Sequence, residues 1–227
     1  MTSMTKIALA CAALVAASGA FAQKAGDNIV SVGLAYISPQ ADVGKLTNST
    51  IYTPTLAGAS ASVPATTTIS ASWLHMYTDN VGAEFTLGIP PEFKQDLTVN
   101  GTTHKEAAKL KIHTPAAVAK YFFGNRGEQL RPYLGVGVSR VSFHNVSTQG
   151  DALVMALSAQ SASFTSSWVP VYTAGAIYNI DDKWSVNGSV AYLPIKTTAT
   201  FVGAAGTTTG DVKLNTTDYV IRLGYRF

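Results

Sequence analysis

The sequence has almost no cysteine, few charged residues and no long apolar run beyond its first residues. Its one cysteine, Cys11, lies in the segment 1–22 that we expect to be removed, so disulfides, cysteine–zinc sites and cysteine nucleophiles are excluded from the rest of the chain. Charged residues make up 13% of the chain, against about 25% in soluble domains. No stretch after residue 22 is long and apolar enough for a transmembrane helix, which needs about 20 residues.

The first residues have the three parts of a secretory signal peptide. They contain the basic Lys6, an apolar run over 7–17 and a small-x-small pattern over 20–22. The apolar run is too short to span a bilayer as a helix, although a buried N-terminal helix is an alternative. We predict a signal peptide over 1–22 and an exported domain over 23–227.

The charge balance and the histidines exclude two further classes. Without Lys6 the exported chain has 15 basic and 13 acidic residues, a net charge of +2. Nucleic-acid binding calls for clustered Lys and Arg, which are missing, so we predict no nucleic-acid partner. The four histidines show no metal-ligand spacing, and we predict no metal and no other cofactor.

Apolar and small or polar residues alternate in several segments, a pattern typical of half-buried β-strands. It is clearest at 28–37, at 81–89, at 184–192 and in the last ten residues, DYVIRLGYRF. It is weaker at about 68–78, 115–123, 132–143 and 168–180. Together these segments predict about eight strands, each near the ~9–11 residues that a tilted strand needs to cross a bilayer.

The connections between these segments alternate in length. Short connections are expected at 78–80, 124–131 and 181–183, and long ones at 38–68, 91–114, 144–167 and 196–216. Short turns on one rim, long loops on the other and aromatic residues at the strand ends are typical of outer-membrane barrels. A soluble β-sandwich would not favour such regular alternation. We predict an all-β, eight-stranded antiparallel transmembrane β-barrel in the bacterial outer membrane, with short periplasmic turns and long extracellular loops.

The last strand runs to the final residue of the sequence, an aromatic. Its apolar face suits lipid and its charged face suits a lumen. In an open sheet its backbone would be unpaired in lipid, at a cost of several kcal/mol for each group, so we expect it to pair with the first strand. A closed barrel leaves no sheet edge, and a monomer is therefore expected.

Several short stretches resemble the OmpW family of small outer-membrane proteins. They are GLAYISP (33–39), MYTDNVGAEF (76–85), RPYLGVGV (131–138), SSWVP (166–170), YNIDDKWSVNGSVAYLPI (178–195) and GYRF (224–227). The resemblance implies an eight-stranded barrel whose interior favours passage of small hydrophobic molecules. It also implies that Phe227 is part of the signal read by the barrel-assembly machinery, although a lipid-facing girdle residue is an equal alternative.

The alternation places five charged residues in the lumen: Glu84, Lys120, Asp218, Arg222 and Arg226. Glu84 and Lys120 lie on neighbouring predicted strands and could pair across the interior. An eight-stranded barrel is just wide enough for side chains to fill it, so these charges are expected to be a structural plug. The alternative is an electrostatic constriction for a polar solute.

Strand two predicts an apolar part of the lumen. If Trp73 faces lipid, Leu74 and Met76 face inward, and with Val220 they would line an apolar vestibule under the long loops, above the charged plug. Trp168 is expected either to line this vestibule or to anchor the barrel at the membrane interface. A narrow apolar lumen excludes water and can gate by dewetting.

These features bear on three possible functions. The favoured one is a channel or binding pore for small hydrophobic molecules, and the alternative is a sealed barrel that acts as a scaffold or surface-interaction protein through its loops. An enzyme is not predicted, because no nucleophile, base and orienting group are brought together. The expected partners are outer-membrane lipid and lipopolysaccharide, the barrel-assembly machinery and small hydrophobic solutes.

Overall fold

The structure, a computed structural model, describes residues 23–44, 47–50, 60–99, 101–148 and 160–227, and the predicted signal peptide lies outside them. No helix in this described part is long and apolar enough to cross a membrane. The strands, in chain order, are β1 (Asn28–Val43), β2 (Thr47–Asn48), β3 (Ser60–Ser62), β4 (Thr66–Met76), β5 (Val81–Gly88), β6 (Glu92–Val99), β7 (Thr102–His113), β8 (Ala116–Phe122), β9 (Leu130–Thr148), β10 (Ser161–Phe164), β11 (Ser167–Asn179), β12 (Trp184–Gly203) and β13 (Gly206–Arg226).

Eight of these strands pair in an antiparallel ring. The order is β1, β4, β5, β8, β9, β11, β12 and β13, and β13 pairs again with β1. The closing register joins Ile29 to Arg226, and beyond it the Phe227 N–H donates to the Asn28 carbonyl at 3.0 Å. The prediction of an eight-stranded antiparallel barrel is confirmed.

The long connections contain more sheet than the sequence predicted. Residues 91–114, expected as a loop, contain the whole of β6 and β7, and β7 continues the wall upward beside β9. Residues 196–216, also expected as a loop, extend β12 and β13 to 20 and 21 residues around a turn at Gly206, whose φ is +93°. These loop predictions were wrong because Thr is β-branched and suits an extended backbone, whereas its polarity indicates only contact with water.

The outer face of the ring is apolar. On β8, burial alternates without exception between inward and outward residues. About half of the surface of each outward Val, Leu and Ile is exposed; examples are Val32, Leu34, Ile69, Leu87, Leu134, Val136, Val138, Ile221 and Leu223. Exposure of so much apolar surface would be costly in water, and it fits a hydrocarbon surrounding.

Aromatic pairs mark both ends of this apolar face. Near the short turns, Tyr121 packs against Phe123 and Trp184 against Tyr225, with ring centroids 5.2 and 5.0 Å apart. Toward the long connections, Tyr36 lies opposite Tyr219 at 6.3 Å. Amphipathic rings at two levels are the girdles of an outer-membrane barrel.

Candidate functional site in the barrel lumen

The lumen is closed at the short-turn rim by Arg131, which has no exposed surface. Its Nη1 donates to the Gln23 carbonyl at 3.0 Å and its Nη2 to the Asp79 carbonyl at 2.8 Å. One guanidinium therefore ties the first described residue to the turn between β4 and β5. Because each donor has an acceptor, this burial leaves few polar groups unpaired.

Arg226 completes this closure from the other end of the chain. Its Nη2 donates to Asn179 Oδ1 at 2.9 Å, and its Nε lies 3.4 Å from Asp27 Oδ2. The Gln23 amide donates to the same Asn179 oxygen at 2.7 Å. We call these residues the basal plug: Gln23, Asp27, Arg131, Asn179 and Arg226.

An apolar layer lies directly above the basal plug. Leu74 and Met76 face inward there with 2% and 0% of their surface exposed. Gly82 makes room for them, since a Cβ at this position would lie 2.9 Å from both the Leu74 and Met76 side chains. We call this layer the lower apolar cluster: Ile29, Leu74, Met76, Phe122, Tyr133 and Ile177.

The predicted height of Leu74 and Met76 was wrong. They were expected in a vestibule under the long loops, but they occupy the floor of the lumen on the short-turn side. They are the last inward positions of β4, immediately before the turn into β5 at Val81. Alternation determines the face of a residue, whereas its distance from the turn determines its height in the barrel.

A charged layer lies above the lower apolar cluster. The Lys120 ammonium is 2.8 Å from Glu84 Oε1, and both side chains are almost completely buried. Arg222 approaches the same oxygen at 3.8 Å and donates through Nε and Nη2 to Ser70 Oγ at 3.1 and 2.6 Å. One carboxylate thus serves two cations, on three different strands of the ring.

Tyr133 links the charged layer to the lower apolar cluster. The Lys120 ammonium lies 4.1 Å from the centre of the Tyr133 ring, and the Tyr133 hydroxyl donates to Asn187 Oδ1 at 3.0 Å. The ring supplies a cation–π contact that partly replaces the hydration of the ammonium. This arrangement, with every charged head group engaged, is that of a plug.

A cavity of about 90 Å³, which we call the chamber, lies directly on the charged layer, whose Glu84 and Arg222 form part of its lining. Val220 and Asp218 of β13 line it, and Asp218 also lines a cavity of about 20 Å³ further up. Leu87 and Gly88, at the end of β5, belong to the wall of the chamber. After these residues come Pro90 and Pro91, which have no N–H to continue the ladder.

The upper part of the lumen is apolar and is built from residues that the sequence analysis did not single out. β6 and β7 contribute to it from above the ring. We call it the upper apolar cluster: Phe93, Leu110, Ile112, Ala116, Val118, Val141, Val169, Val171, Leu193, Ile195 and Leu214. Four of its members, Ala116, Val118, Val171 and Leu193, also line the chamber.

Trp168 does not line the vestibule, and that expectation was wrong. It lies on the outer face with 67% of its surface exposed, and the Arg140 guanidinium is 5.7 Å from its ring centre. Its neighbour Val169 is the inward residue, because inward positions on β11 continue to Val171. Of the two positions considered for Trp168, the outer face is the one it occupies.

Of the missed residues, Arg131 could have been found from the sequence. In the stretch RPYLGVGV it has the inward parity of Tyr133, but it was assigned to a turn. Gln23 and Ser70 gave no such signal, because a lone polar residue carries no information about its partner. Among the described residues, no three His, Cys, Asp or Glu side chains lie close enough to bind a metal ion.

A closed ring with an apolar outer belt, two aromatic girdles and a lumen plugged at its short-turn end defines an outer-membrane β-barrel. The sequence profile of the OmpW family matches residues 24–227. The chain belongs to the OmpW family, and it is a protein of the bacterial outer membrane.

Relatives and solved structures agree with this assignment. The chain is 29% identical to outer membrane protein W of Escherichia coli over the whole of both chains, and 28% identical to that of Vibrio cholerae, covering 96% of this chain and 97% of the relative. The crystal structure of OprG from Pseudomonas aeruginosa superposes with a TM-score of 0.80 at 24% identity, covering 91% of this chain and 98% of OprG. These relatives are outer-membrane proteins by name. Membership of the OmpW family agrees with the prediction that the chain is not an enzyme.

Proposed function

We propose that the protein takes small, mainly hydrophobic molecules into its barrel from the side of the long connections and passes or binds them there. The observation that carries this proposal is the chamber beneath the upper apolar cluster. Ligand sites are commonly concave, with apolar walls and polar groups that fix orientation. The chamber is lined by nine apolar side chains, four of them from the upper apolar cluster, and by nine polar or charged ones. Passage of hydrophobic molecules is also what the family resemblance implied.

The closed floor restricts the route of such a molecule. The charged layer, the lower apolar cluster and the basal plug all lie between the chamber and the short-turn rim. A solute that enters from above therefore has no straight axial exit in this conformation. The wall at Leu87 and Gly88 borders both the chamber and the outer surface, and we propose it as the place where a hydrophobic molecule reaches the membrane.

A substitution that fills the chamber tests the proposal. Val220 lines the chamber, so Val220→Phe should reduce uptake of a small alkane such as octane into liposomes that contain the refolded protein. Val190→Phe is the matched control, because Val190 lies on the outer face of β12 with 43% of its surface exposed. Far-UV circular dichroism would establish that both variants are folded.

The second candidate function is a sealed scaffold that acts through its extracellular sheet. It is favoured by the same closed floor and by the extension that β6, β7, β12 and β13 build beyond the ring. Octane uptake that is equal for both variants and for empty liposomes would contradict the transport proposal and favour the scaffold. Loss of uptake in Val220→Phe alone would contradict the scaffold.

Two partners are proposed in addition to the solute. Lipopolysaccharide is the expected neighbour of the outer aromatic girdle, where Arg140 and Trp168 face outward. The barrel-assembly machinery is the expected reader of Phe227, which is 69% exposed on the outer face while its backbone pairs with Asn28. A monomer is proposed because the ring has no free edge.

A further inference from the structure

The carboxylate of Asp218 lies in the wall of the chamber, and one of its two oxygens is buried. Its Oδ1 is inaccessible, and no described residue donates to it. The Glu84 carboxylate below shows the contrast, since it is bonded by Lys120 and Thr86. A buried acceptor without a donor costs free energy, so the environment of Asp218 is incomplete.

The neighbouring strands do not supply the missing donor. Asp218 is flanked in the sheet by Ile37 of β1 and Ala191 of β12, which have no polar side-chain atoms. The nearest cation along the same face, Arg222, already donates to Ser70 and approaches Glu84. No described group donates to this oxygen, although the hydroxyls of Thr114 and Thr173 line the same chamber. Asp218 as a whole is only partly buried, so the contents of the chamber, water or solute, can supply a donor to its carboxylate.

The surroundings of Asp218 suit an apolar molecule with one polar end. Asp218 lines both the chamber and the cavity above it, and Ile37 and Leu193 line both as well. We propose that the chamber binds small molecules with an apolar body and a terminal hydrogen-bond donor, a hydroxyl or an ammonium group, whose donor bonds to the Asp218 carboxylate. This inference rests on the proposed function and narrows its solute class.

The size of the cavities determines how such a molecule lies. A dry cavity of about 150 Å³ holds one benzene molecule, and the chamber, at about 90 Å³, is smaller. The polar head and the first carbons therefore occupy the chamber, while the remaining chain extends among the side chains of the upper apolar cluster. A linear molecule fits this arrangement better than a bulky ring does.

Two probes of equal size isolate the donor. 1-Octanol and heptyl methyl ether have the same number of heavy atoms, and only the alcohol can donate. Each is titrated into the full barrel in nanodiscs, at matched concentrations in the lipid, while the Ile37 and Ala35 methyl resonances are followed by NMR. We expect half-saturation with octanol at a concentration about 5-fold lower than with the ether, since one hydrogen bond contributes about 1 kcal/mol.

Substitution of Asp218 should remove this preference. Asp218→Leu should bind the two probes equally, whereas Asp211→Asn should keep the wild-type ratio because Asp211 lies exposed on the same strand and accepts from Thr198. Octylammonium extends the comparison, and in the wild type it should half-saturate the barrel at a lower concentration than octanol. This difference should disappear in Asp218→Asn, which keeps the side-chain shape but not the charge. Asp218→Asn also provides the test if Asp218→Leu does not fold.

The outcomes separate this inference from the function on which it rests. Equal half-saturation by octanol and the ether in the wild type, or an alcohol preference that persists in a folded Asp218 variant, would overturn the donor site while leaving hydrophobic binding intact. Failure of the wild type to bind the ether, octanol and octane alike would overturn the proposed function itself. A preference for octanol over the ether that is lost in the Asp218 variants and kept in Asp211→Asn supports the inference.

Discussion

Glu84 balances two buried cations, and the charged layer depends on it. Lys120 lies 2.8 Å and Arg222 3.8 Å from the same carboxylate oxygen. Lys120 has only this carboxylate as an ion-pair partner among the described contacts, whereas Arg222 is also bonded to Ser70. Removal of one partner from a buried ion pair is costly because it leaves the other charge uncompensated.

Glu84→Gln should therefore destabilise the barrel more than Lys120→Met does. The first change leaves Lys120 and Arg222 without the anion that they share, and we expect it to lower the free energy of unfolding by about 3–5 kcal/mol. The second leaves Glu84 with Arg222 and keeps an unbranched side chain over the Tyr133 ring. Urea unfolding in lipid vesicles, followed by tryptophan fluorescence, measures both. Equal losses in the two variants would contradict the role of Glu84 as the shared anion of two cations.

At the residue scale, alternation predicted the face of a side chain well and its height poorly. Glu84, Lys120 and Arg222 have the inward parity that the sequence indicated. Leu74 and Met76 were placed in the wrong half of the lumen, since an inward pattern is the same at both ends of a strand. Trp168 was ambiguous because it precedes the regular part of β11.

At the scale of elements, the extension of β12 and β13 is separable from the ring. The β1–β13 register ends at Val43 and Val212, and residues 207–210 pair only with β12 and β2. Polar sheet beyond the membrane adds pairing but no lipid-facing surface. Its removal should leave closure of the barrel unaffected.

Deletion of 199–202 together with 207–210 tests this independence. The deletion removes four residues from β12 and four from β13. The other β12–β13 pairs therefore keep their register, and each side chain keeps its face of the sheet. We expect refolding into vesicles and unfolding by urea to change little, because the ring retains its closing register. Removal of 199–202 alone is the control, since it shifts the register of the hairpin and should impair folding. Loss of folding in the balanced deletion would contradict independence.

The β7–β9 extension should be sensitive to acid through His113. Burial, the nearby His144 and Lys111 all lower the pKa of His113 from its ordinary 6.5, and the two imidazole centres are 4.6 Å apart. Because the folded-state pKa is lowered, the stabilising contribution is present above about pH 6.5 and is lost as the pH falls through the lowered pKa. Acidification should therefore weaken this pairing.

An NMR titration of the imidazole signals tests whether His144 lowers the pKa of His113. The midpoint for His113 should lie below 6.5 in the wild type and rise in His144→Gln, which removes the neighbouring positive charge. His104→Gln is the matched control, because His104 lies at the far end of β7. A midpoint that does not move in His144→Gln would show that the two rings do not interact.

The extension was predictable only in part. Thr-rich stretches such as 196–216 have the composition of a loop, and the apolar alternation in this one is short, since Val212 and Leu214 alone repeat as large apolar residues on its buried face. In 91–114, by contrast, Phe93, Leu110 and Ile112 belong to the upper apolar cluster. Leu110 and Ile112 alternate with Lys109 and Lys111, so a strand places both on one face. Only the tertiary fold brings Phe93 of β6 into the same cluster.

At the scale of the whole molecule, Phe227 closes the ring and ends the outer belt. Its backbone pairs with Asn28 in both directions, at 3.0 and 3.4 Å, while its ring is exposed. Closure requires the backbone, whereas recognition by an assembly machinery would require the aromatic side chain. The two roles can therefore be separated by substitution.

Phe227→Ala should lower the amount of folded barrel in the outer membrane of cells while leaving spontaneous refolding into liposomes nearly unchanged. The backbone pair with Asn28 persists in this variant, so closure in vitro does not need the ring. Phe227→Tyr, which keeps an aromatic, should behave as the wild type in both assays. An equal loss in cells and in liposomes would assign Phe227 to the girdle alone.

The fold was predictable because the bilayer requires each strand to be long enough to cross it and apolar on the face toward lipid. Turn lengths and aromatic positions indicated a ring of eight strands before any contact was known. The interior was less predictable, since the partners of Glu84 and Arg131 lie in segments distant in sequence. No pattern in the neighbouring sequence indicates that Glu84 pairs with two cations. None indicates that an oxygen of Asp218 has no donor among the described residues.

The basal plug is made from both ends of the described chain, with Gln23 and Asp27 meeting Arg226 around Arg131 and Asn179. The last strand that completes the ring therefore also delivers the last guanidinium of the floor. No folded intermediate with a closed wall and an open floor is expected. A planar lipid bilayer that contains the finished protein should stay electrically silent, because two fixed arginine charges and an apolar layer block the axis to ions, even while neutral molecules exchange with the chamber above.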